Sequence, residues 1–177
     1  RVYPNSEVII KALADGGEGT VEALIKELKG KLRSIEVIGP LGETVNCCYG
    51  IIESKKMAVI EMAQASGLTL VPELKRNPLY TTTYGLGQVI NDALIQGCRR
   101  FIIGIGGSAT NDGGIGMLQA LGFEMLDQDD KPVAFGALGL KHLKTIKTNK
   151  TRPALKECDF MIACDVNNPL CGPLGAS

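Results

Sequence analysis

Apolar residues along this chain recur with two different periods, and the alternation between them divides it into strands and helices. Residues 8–13 form a largely apolar run, interrupted by Lys11, that fits a strand and leads into the turn Ala14-Asp15-Gly16-Gly17-Glu18-Gly19-Thr20. Val21, Leu24, Ile25 and Leu28 follow at helical spacing, with Gly30 at the expected helix end. Residues 35–38, 44–52 and 57–62 are β-rich and separated by short connections, Pro40-Leu41-Gly42 and residues 53–56, which predicts antiparallel neighbours. Glu61 falls at the end of the third of these strands, placed to face a strand-end crevice.

Pro72, Arg76, Asn77 and Pro78 make residues 71–80 a loop, and Thr81-Thr82-Thr83 then offers N-cap hydroxyls for a helix. That helix buries Leu86, Val89, Ile90, Ala93 and Leu94 and closes at Gly97; the free N–H groups at its start predict an anion site. Residues 101–105 are a short β-branched run suited to a strand buried on both faces. Gly104, Gly106, Gly107, Gly113 and Gly114 then enclose Ser108, Thr110, Asn111 and Asp112, before Ile115, Met117, Leu118 and Leu121 resume helical spacing up to Gly122. Residues 123–126 and 132–134 flank Asp127-Gln128-Asp129-Asp130-Lys131 as a hairpin, and 138–156 is a polar stretch with no ligand pattern. Residues 160–164 form a last apolar strand ending at Asp165.

These elements predict an α/β fold: a mixed β-sheet with flanking helices, or Rossmann-like elements beside a small antiparallel meander. At 177 residues with 45% hydrophobic content the chain can bury the core of one ordinary domain. Lys and Arg total 19, matching 19 Asp and Glu, so charge points to neither nucleic acid nor an anionic membrane. No apolar run reaches the ~20 residues of a membrane helix and the start carries no signal-peptide pattern, so a cytoplasmic location is expected. The six cysteines lack C-x-x-C spacing and are expected as buried free thiols, and Cys158, Cys164, Cys171 and His142 are too irregularly spaced to favour a metal site.

The 22 glycines exceed the roughly 12 expected from average usage, and the excess gathers in the strand-end loops. Three such loops carry an acid, Asp15, Asp112 and Asp165. Phosphoryl transfer needs donors along phosphates, a metal-holding carboxylate and a base near the attacking hydroxyl, and this set offers all three. Gly104, Gly106 and Ala109 also fit a dinucleotide fingerprint, with Glu124 about 20 residues on as its ribose acid. Against that reading, Asn111-Asp112-Gly113-Gly114 would disrupt the first helical turn, since interior glycine costs about 1 kcal/mol relative to alanine. No Walker A tripeptide is present. A nicotinamide-dependent oxidoreductase and a non-catalytic small-ligand-binding domain stand as the alternatives to a kinase.

The motifs themselves resemble a known family. Ala14-Asp-Gly-Gly-Glu-Gly-Thr20, Glu61-Met-Ala-x-Ala-Ser-Gly-Leu68, Arg76-Asn-Pro78, Thr82-Thr-Tyr-Gly85, Gly104-Ile-Gly-Gly-Ser-Ala-Thr-Asn-Asp-Gly-Gly114 and Cys164-Asp-Val-x-Asn-Pro-Leu-x-Gly172 are similar to those of the bacterial-type ATP-dependent glycerate kinases. The resemblance runs through the whole sequence and implies transfer of the ATP γ-phosphoryl group to D-glycerate, with Mg²⁺, in a protein of two α/β lobes. It also implies that this sequence covers part of a longer chain, since family members begin with a further strand and loop and continue past Ser177. One α/β unit over residues 1–177 is expected, the alternative being a Rossmann-like lobe at 1–34 and a second mixed lobe at 35–177. On this resemblance Asp165 accepts or orients the glycerate hydroxyl, with Asp15 as the competing base, and the two are the candidate Mg²⁺ carboxylates. Arg76 pairs with the glycerate carboxylate; Gly106, Gly107, Ser108, Thr110 and Asn111 donate to glycerate or phosphate oxygens; Asp112, Glu18 and Asn168 complete the binding set.

Overall fold

Successive side chains of a strand point to opposite faces of the sheet, and here both faces of the central strands are covered. A computed structural model describes residues 19–164, 166, 167 and 169–175. The expected strand at residues 8–13, and Asp15, Glu18, Asp165 and Asn168, lie outside the described residues. Helix α1 (Thr20–Glu27) precedes strands β1 (Lys31–Ile38), β2 (Thr44–Ile52) and β3 (Met57–Glu61). Then come α2 (Met62–Ser66), α3 (Tyr84–Ile95), β4 (Arg100–Gly104), α4 (Ile115–Ala120), β5 (Glu124–Leu126), α5 (Ala137–His142), β6 (Thr145–Lys147) and β7 (Asp159–Ala163).

The main sheet has the order β1-β2-β3-β4-β7. Pairing is antiparallel from β1 to β3 and parallel from β3 through β4 to β7. The meander and the parallel strands are therefore one mixed sheet. Strand β1 runs unbroken through residues 34 and 35, and α1 packs on the same sheet. All five residues of β3 are buried. Met57 and Val59 face α1 with Val21, Ile25 and Ile52, whereas Ala58 and Ile60 point to the other side with Phe101, Leu86, Val89 and Ile90. Two-residue periodicity thus splits the core into two layers. Each fully buried Ile or Phe of this kind contributes about 1.5–3 kcal/mol.

Helices α3 and α4 cross closely, and glycine makes that possible. A Cβ on Gly87 would collide with the Met117 carbonyl, and one on Gly116 with the Thr82 hydroxyl. The buried face predicted for α3 is the observed one. On the sheet side of α3, Arg33 Nη2 donates to Asp92 Oδ1 at 2.9 Å and the Tyr49 hydroxyl donates to Asp92 Oδ2. The Arg33 hydrogen bond, more than that from Tyr49, holds the Asp92 carboxyl below the usual carboxylate range.

Several local expectations are corrected. Helix α1 turns out of its axis at Lys29, with φ 53°, and Gly30 follows, its N–H donating back to the Ile25 carbonyl at 2.9 Å. Residues 127–131 do form a turn, with Asp127 Oδ1 accepting from the N–H of Asp129 and Lys131. The hairpin closes through Asp127 N–H to the Lys131 carbonyl and Val133 N–H to the Met125 carbonyl, both at 2.9 Å, with a bridge between Leu126 and Pro132; β5 also pairs with β6, inside the stretch read as polar with no ligand pattern. Among the cysteines, Cys47 and Cys98 are buried and Cys158 is half-buried, but Cys48, Cys164 and Cys171 are exposed. Burial pushes the Cys47 thiol up to about 12. Among the described residues no group of three or more His, Cys, Asp or Glu could hold a metal ion, and no helix is long and apolar enough to cross a membrane.

Candidate functional site

The carboxyl ends of β3, β4 and β7 lie level, with Glu61 opposite Gly104 and Gly104 opposite Ala163. Ligands of open α/β sheets bind at such an edge, because the loops that leave it are free to present polar groups. From β4 the chain enters a ten-residue loop, 105–114, before α4 begins at Ile115. Gly107 has φ 70°, a conformation that favours glycine, and it lets the loop turn back along α2. There Leu68 N–H donates to the Gly107 carbonyl at 2.8 Å, Ala109 N–H donates to the Ser66 carbonyl at 2.9 Å, and Gly67 bridges Ser108.

A cleft of about 590 Å³ opens between this loop and the segment that follows α2. Ser108, Ala109, Thr110 and Asn111 line it from the loop; Leu68, Val71, Arg76, Asn77, Pro78 and Thr81 line it from the segment, and Leu170 completes it. Arg76 is the one charged side chain among these described lining residues. It is exposed, and its Nε donates to the Val71 carbonyl at 3.3 Å, which tethers the base of the guanidinium group. The Ser108 and Thr110 hydroxyls are 2.8 Å apart, and Thr110 N–H donates to Ser108 Oγ at 3.1 Å. With one hydroxyl proton used between the two oxygens, one remains to donate to a ligand. Anion recognition fits this combination of a cation, a hydroxyl pair and an apolar rim.

Of the predicted residues, the structure brings together Arg76, Ser108, Thr110 and Asn111 around the cleft. Gly106 and Gly107 are exposed in the same loop but outside its lining. Asp112 lies in the same loop but outside the lining. It is 1% exposed and its carboxylate is engaged inside the fold: Oδ2 accepts from Thr83 N–H at 2.9 Å, the Thr83 hydroxyl at 2.9 Å and Gly116 N–H at 3.2 Å, and Oδ1 accepts from Gly114 N–H at 3.0 Å. It joins the starts of α3 and α4. The anion site expected at the start of α3 is thus filled by a carboxylate of the chain itself. The threonines are also redeployed: Thr83 is the N-cap residue of α3 but makes no cap bond, its hydroxyl instead accepting from Met117 N–H at 2.9 Å.

Glu61 is likewise turned away from the cleft. It is 4% exposed, and its Oε1 accepts from Val21 N–H at 2.8 Å, so it caps α1 across the sheet. Gly19 borders the same smaller hollow of about 350 Å³ as Glu61 and Gln64. The dinucleotide fingerprint loses its structural context, because α4 begins eleven residues after the pattern opens at Gly104. Its ribose acid, Glu124, lies on β5 and accepts from Lys150 Nζ at 2.7 Å. Thr81 and Leu170 were missed as lining residues; the only signal for Thr81 was its place in a threonine run next to Arg76-Asn-Pro.

The whole chain, residues 1–177, matches the model of the glycerate kinase family. A glycerate kinase of Haemophilus influenzae is 52% identical over 177 residues, which is 100% of this chain and 47% of that protein. A glycerate 2-kinase of Escherichia coli is 51% identical over 176 residues, covering 99% of this chain and 46% of its own length. Among solved structures, a Salmonella typhimurium LT2 protein assigned as glycerate kinase 2 superposes with a TM-score of 0.90 at 48% identity, over 98% of this chain and 47% of that one. The chain spans about half the length of the relatives it matches.

Proposed function

We propose, starting from the fact that this chain belongs to the glycerate kinase family, that the polypeptide carrying it transfers the ATP γ-phosphoryl group to a hydroxyl of D-glycerate, giving phosphoglycerate and ADP. The observation that supports this most directly is the gathering of Arg76, Ser108, Thr110 and Asn111 around one cleft at the strand carboxyl ends. D-Glycerate carries one carboxylate and two neighbouring hydroxyls. Arg76 is the partner for the carboxylate, and the Ser108–Thr110 pair, Asn111 and the loop N–H groups of Gly106 and Gly107 are donors for hydroxyl or phosphate oxygens.

In this reading the substrate oxygen bonds to the γ-phosphorus as the bond to the ADP oxygen breaks, and the hydroxyl proton passes to a carboxylate. Asp165, which follows β7, is our first assignment for that base, with Asp15 as the competitor and Glu18 and Asn168 as further phosphate or substrate contacts. Mg²⁺ would supply charge neutralisation on the phosphates. No described cluster could hold the ion, and its proposed carboxylates, Asp15 and Asp165, lie outside the described residues, so no step is routed through it. The 2-hydroxyl is the proposed acceptor, following the name of the Escherichia coli relative. We further propose one α/β unit over residues 1–177 as part of a larger two-lobed enzyme in the cytoplasm.

A coupled ADP-release assay on the complete polypeptide, with D-glycerate and ATP, tests the reading; a nucleotide-binding protein without glycerate-dependent ADP release would sink it. Supplying enolase in place of a mutase-coupled system identifies the 2-phosphate product. Arg76→Ala is expected to raise KM for glycerate roughly 10- to 100-fold, the loss of a charge-assisted hydrogen bond, while KM for ATP holds. An unchanged glycerate KM removes Arg76 as the carboxylate partner.

A further inference from the structure

We infer that Thr81 is a positioning residue of the cleft, whose hydroxyl orients the Ala109–Thr110 peptide and through it the Ser108 and Thr110 hydroxyls that meet the acid substrate. This rests on the reading above for the identity of that substrate. Thr81 is 1% exposed, so its role runs through a neighbour and not through direct contact with a ligand. Its hydroxyl lies 2.7 Å from the Ala109 carbonyl and 3.5 Å from that of Pro78. One proton serves the nearer acceptor, which makes Ala109 the partner.

The Ala109 carbonyl and the Thr110 N–H belong to a single rigid peptide plane. One edge of that plane accepts from Thr81; the other donates to Ser108 Oγ at 3.1 Å. Rotating the plane to release the first bond necessarily carries the second away from Ser108, and with it the 2.8 Å contact between the two hydroxyls. On the preceding peptide, Ala109 N–H is tied to the Ser66 carbonyl at 2.9 Å, so the loop is gripped from α2 as well. Thr81 can act as a fixed point because its neighbours are anchored: Thr82 N–H donates to the Pro40 carbonyl at 3.0 Å, in the turn between β1 and β2, and Thr83 is held by Asp112. Without the Thr81 hydroxyl the Ala109 carbonyl has lost its inward partner beside an open cleft, and turning toward water is the low-cost response.

The test compares Thr81→Val, which keeps the branched shape, with Thr81→Ser, which keeps the hydroxyl, in the complete polypeptide, by steady-state ADP release and thermal melting. Thr81→Val is expected to raise KM for D-glycerate about tenfold with KM for ATP within about twofold, and Thr81→Ser to restore the wild-type KM for glycerate. If Thr81→Val does not accumulate as folded protein, Thr81→Ala takes its place against the same serine control. An unchanged glycerate KM, a parallel rise in both KM values, or a serine variant as impaired as the valine one overturns the positioning role alone. Wild-type protein that releases no ADP with glycerate overturns it together with the kinase reading.

Discussion

Strands β3 and β4 run parallel and level, Glu61 beside Gly104, yet the chain leaves them in opposite ways. From β3 it passes straight into α2 at Met62, and the strand-end carboxylate caps α1 across the sheet. From β4 it passes into ten loop residues in which the one carboxylate, Asp112, is drawn inward to join two helix starts. In both regions the acid is structural. What differs is the length of chain between strand and helix: none after β3, against ten residues after β4, of which Ser108 to Asn111 line the cleft. A charged residue in a glycine loop is thus poor guidance to where ligands go when helix starts nearby lack acceptors, because a buried carboxylate can satisfy several N–H groups at once.

That contrast can be broken most severely at Asp112. Asp112→Ala leaves the Thr83, Gly114 and Gly116 donors unpaired in the interior and is expected to cost about 3–5 kcal/mol, read as a large drop in the denaturant midpoint of the complete polypeptide. A loss of activity at unchanged stability would instead return Asp112 to the chemistry. On the β3 side, Glu61→Gln keeps an acceptor for Val21 N–H and removes only the charge at the start of α1. Its expected cost is about 1 kcal/mol by the same measurement, and a cost as large as that at Asp112 would erase the distinction between the two acids. The smallest effect is expected between the two strands. Ser66 Oγ is fully buried with no hydrogen-bond partner among the described residues, so Ser66→Ala should lie within about 0.5 kcal/mol of wild type or slightly above it. A loss beyond 1 kcal/mol would mean that Oγ does have a partner, such as a bound water.

Most of the frame could be read from periodicity. The apolar run of β3 and the i, i+3, i+4 face of α3 are local signals, and short connections sufficed to make β1 to β3 antiparallel. The pairing of β5 with β6 could not be read, because three-residue strands carry no periodicity and their register depends on a contact about 20 residues away. The site was legible to the same degree. Arg76, Ser108, Thr110 and Asn111 were named from motif and chemistry, and they meet. Asp112 was named with them, but its carboxylate joins two helix starts: Gly114 and Gly116 are close in sequence, whereas the N–H and hydroxyl of Thr83 lie 29 residues upstream, and no local pattern says which way a carboxylate turns. Thr81 escaped notice for the complementary reason: read as a helix cap, its hydroxyl instead reaches a carbonyl 28 residues on.

The adjacent thiols of β2 give the molecule a built-in record of its own opening. Cys48 is exposed, whereas Cys47 is fully buried and its thiol is pushed up to about 12. A cysteine reagent therefore marks Cys48 at a rate set by the reagent, and Cys47 at a rate set by how often the strand leaves the sheet. No Lys or Arg separates residues 34 and 54, so tryptic cleavage leaves both thiols on one fragment, and the ratio of doubly to singly modified fragment is a clock for local unfolding that needs no outside standard.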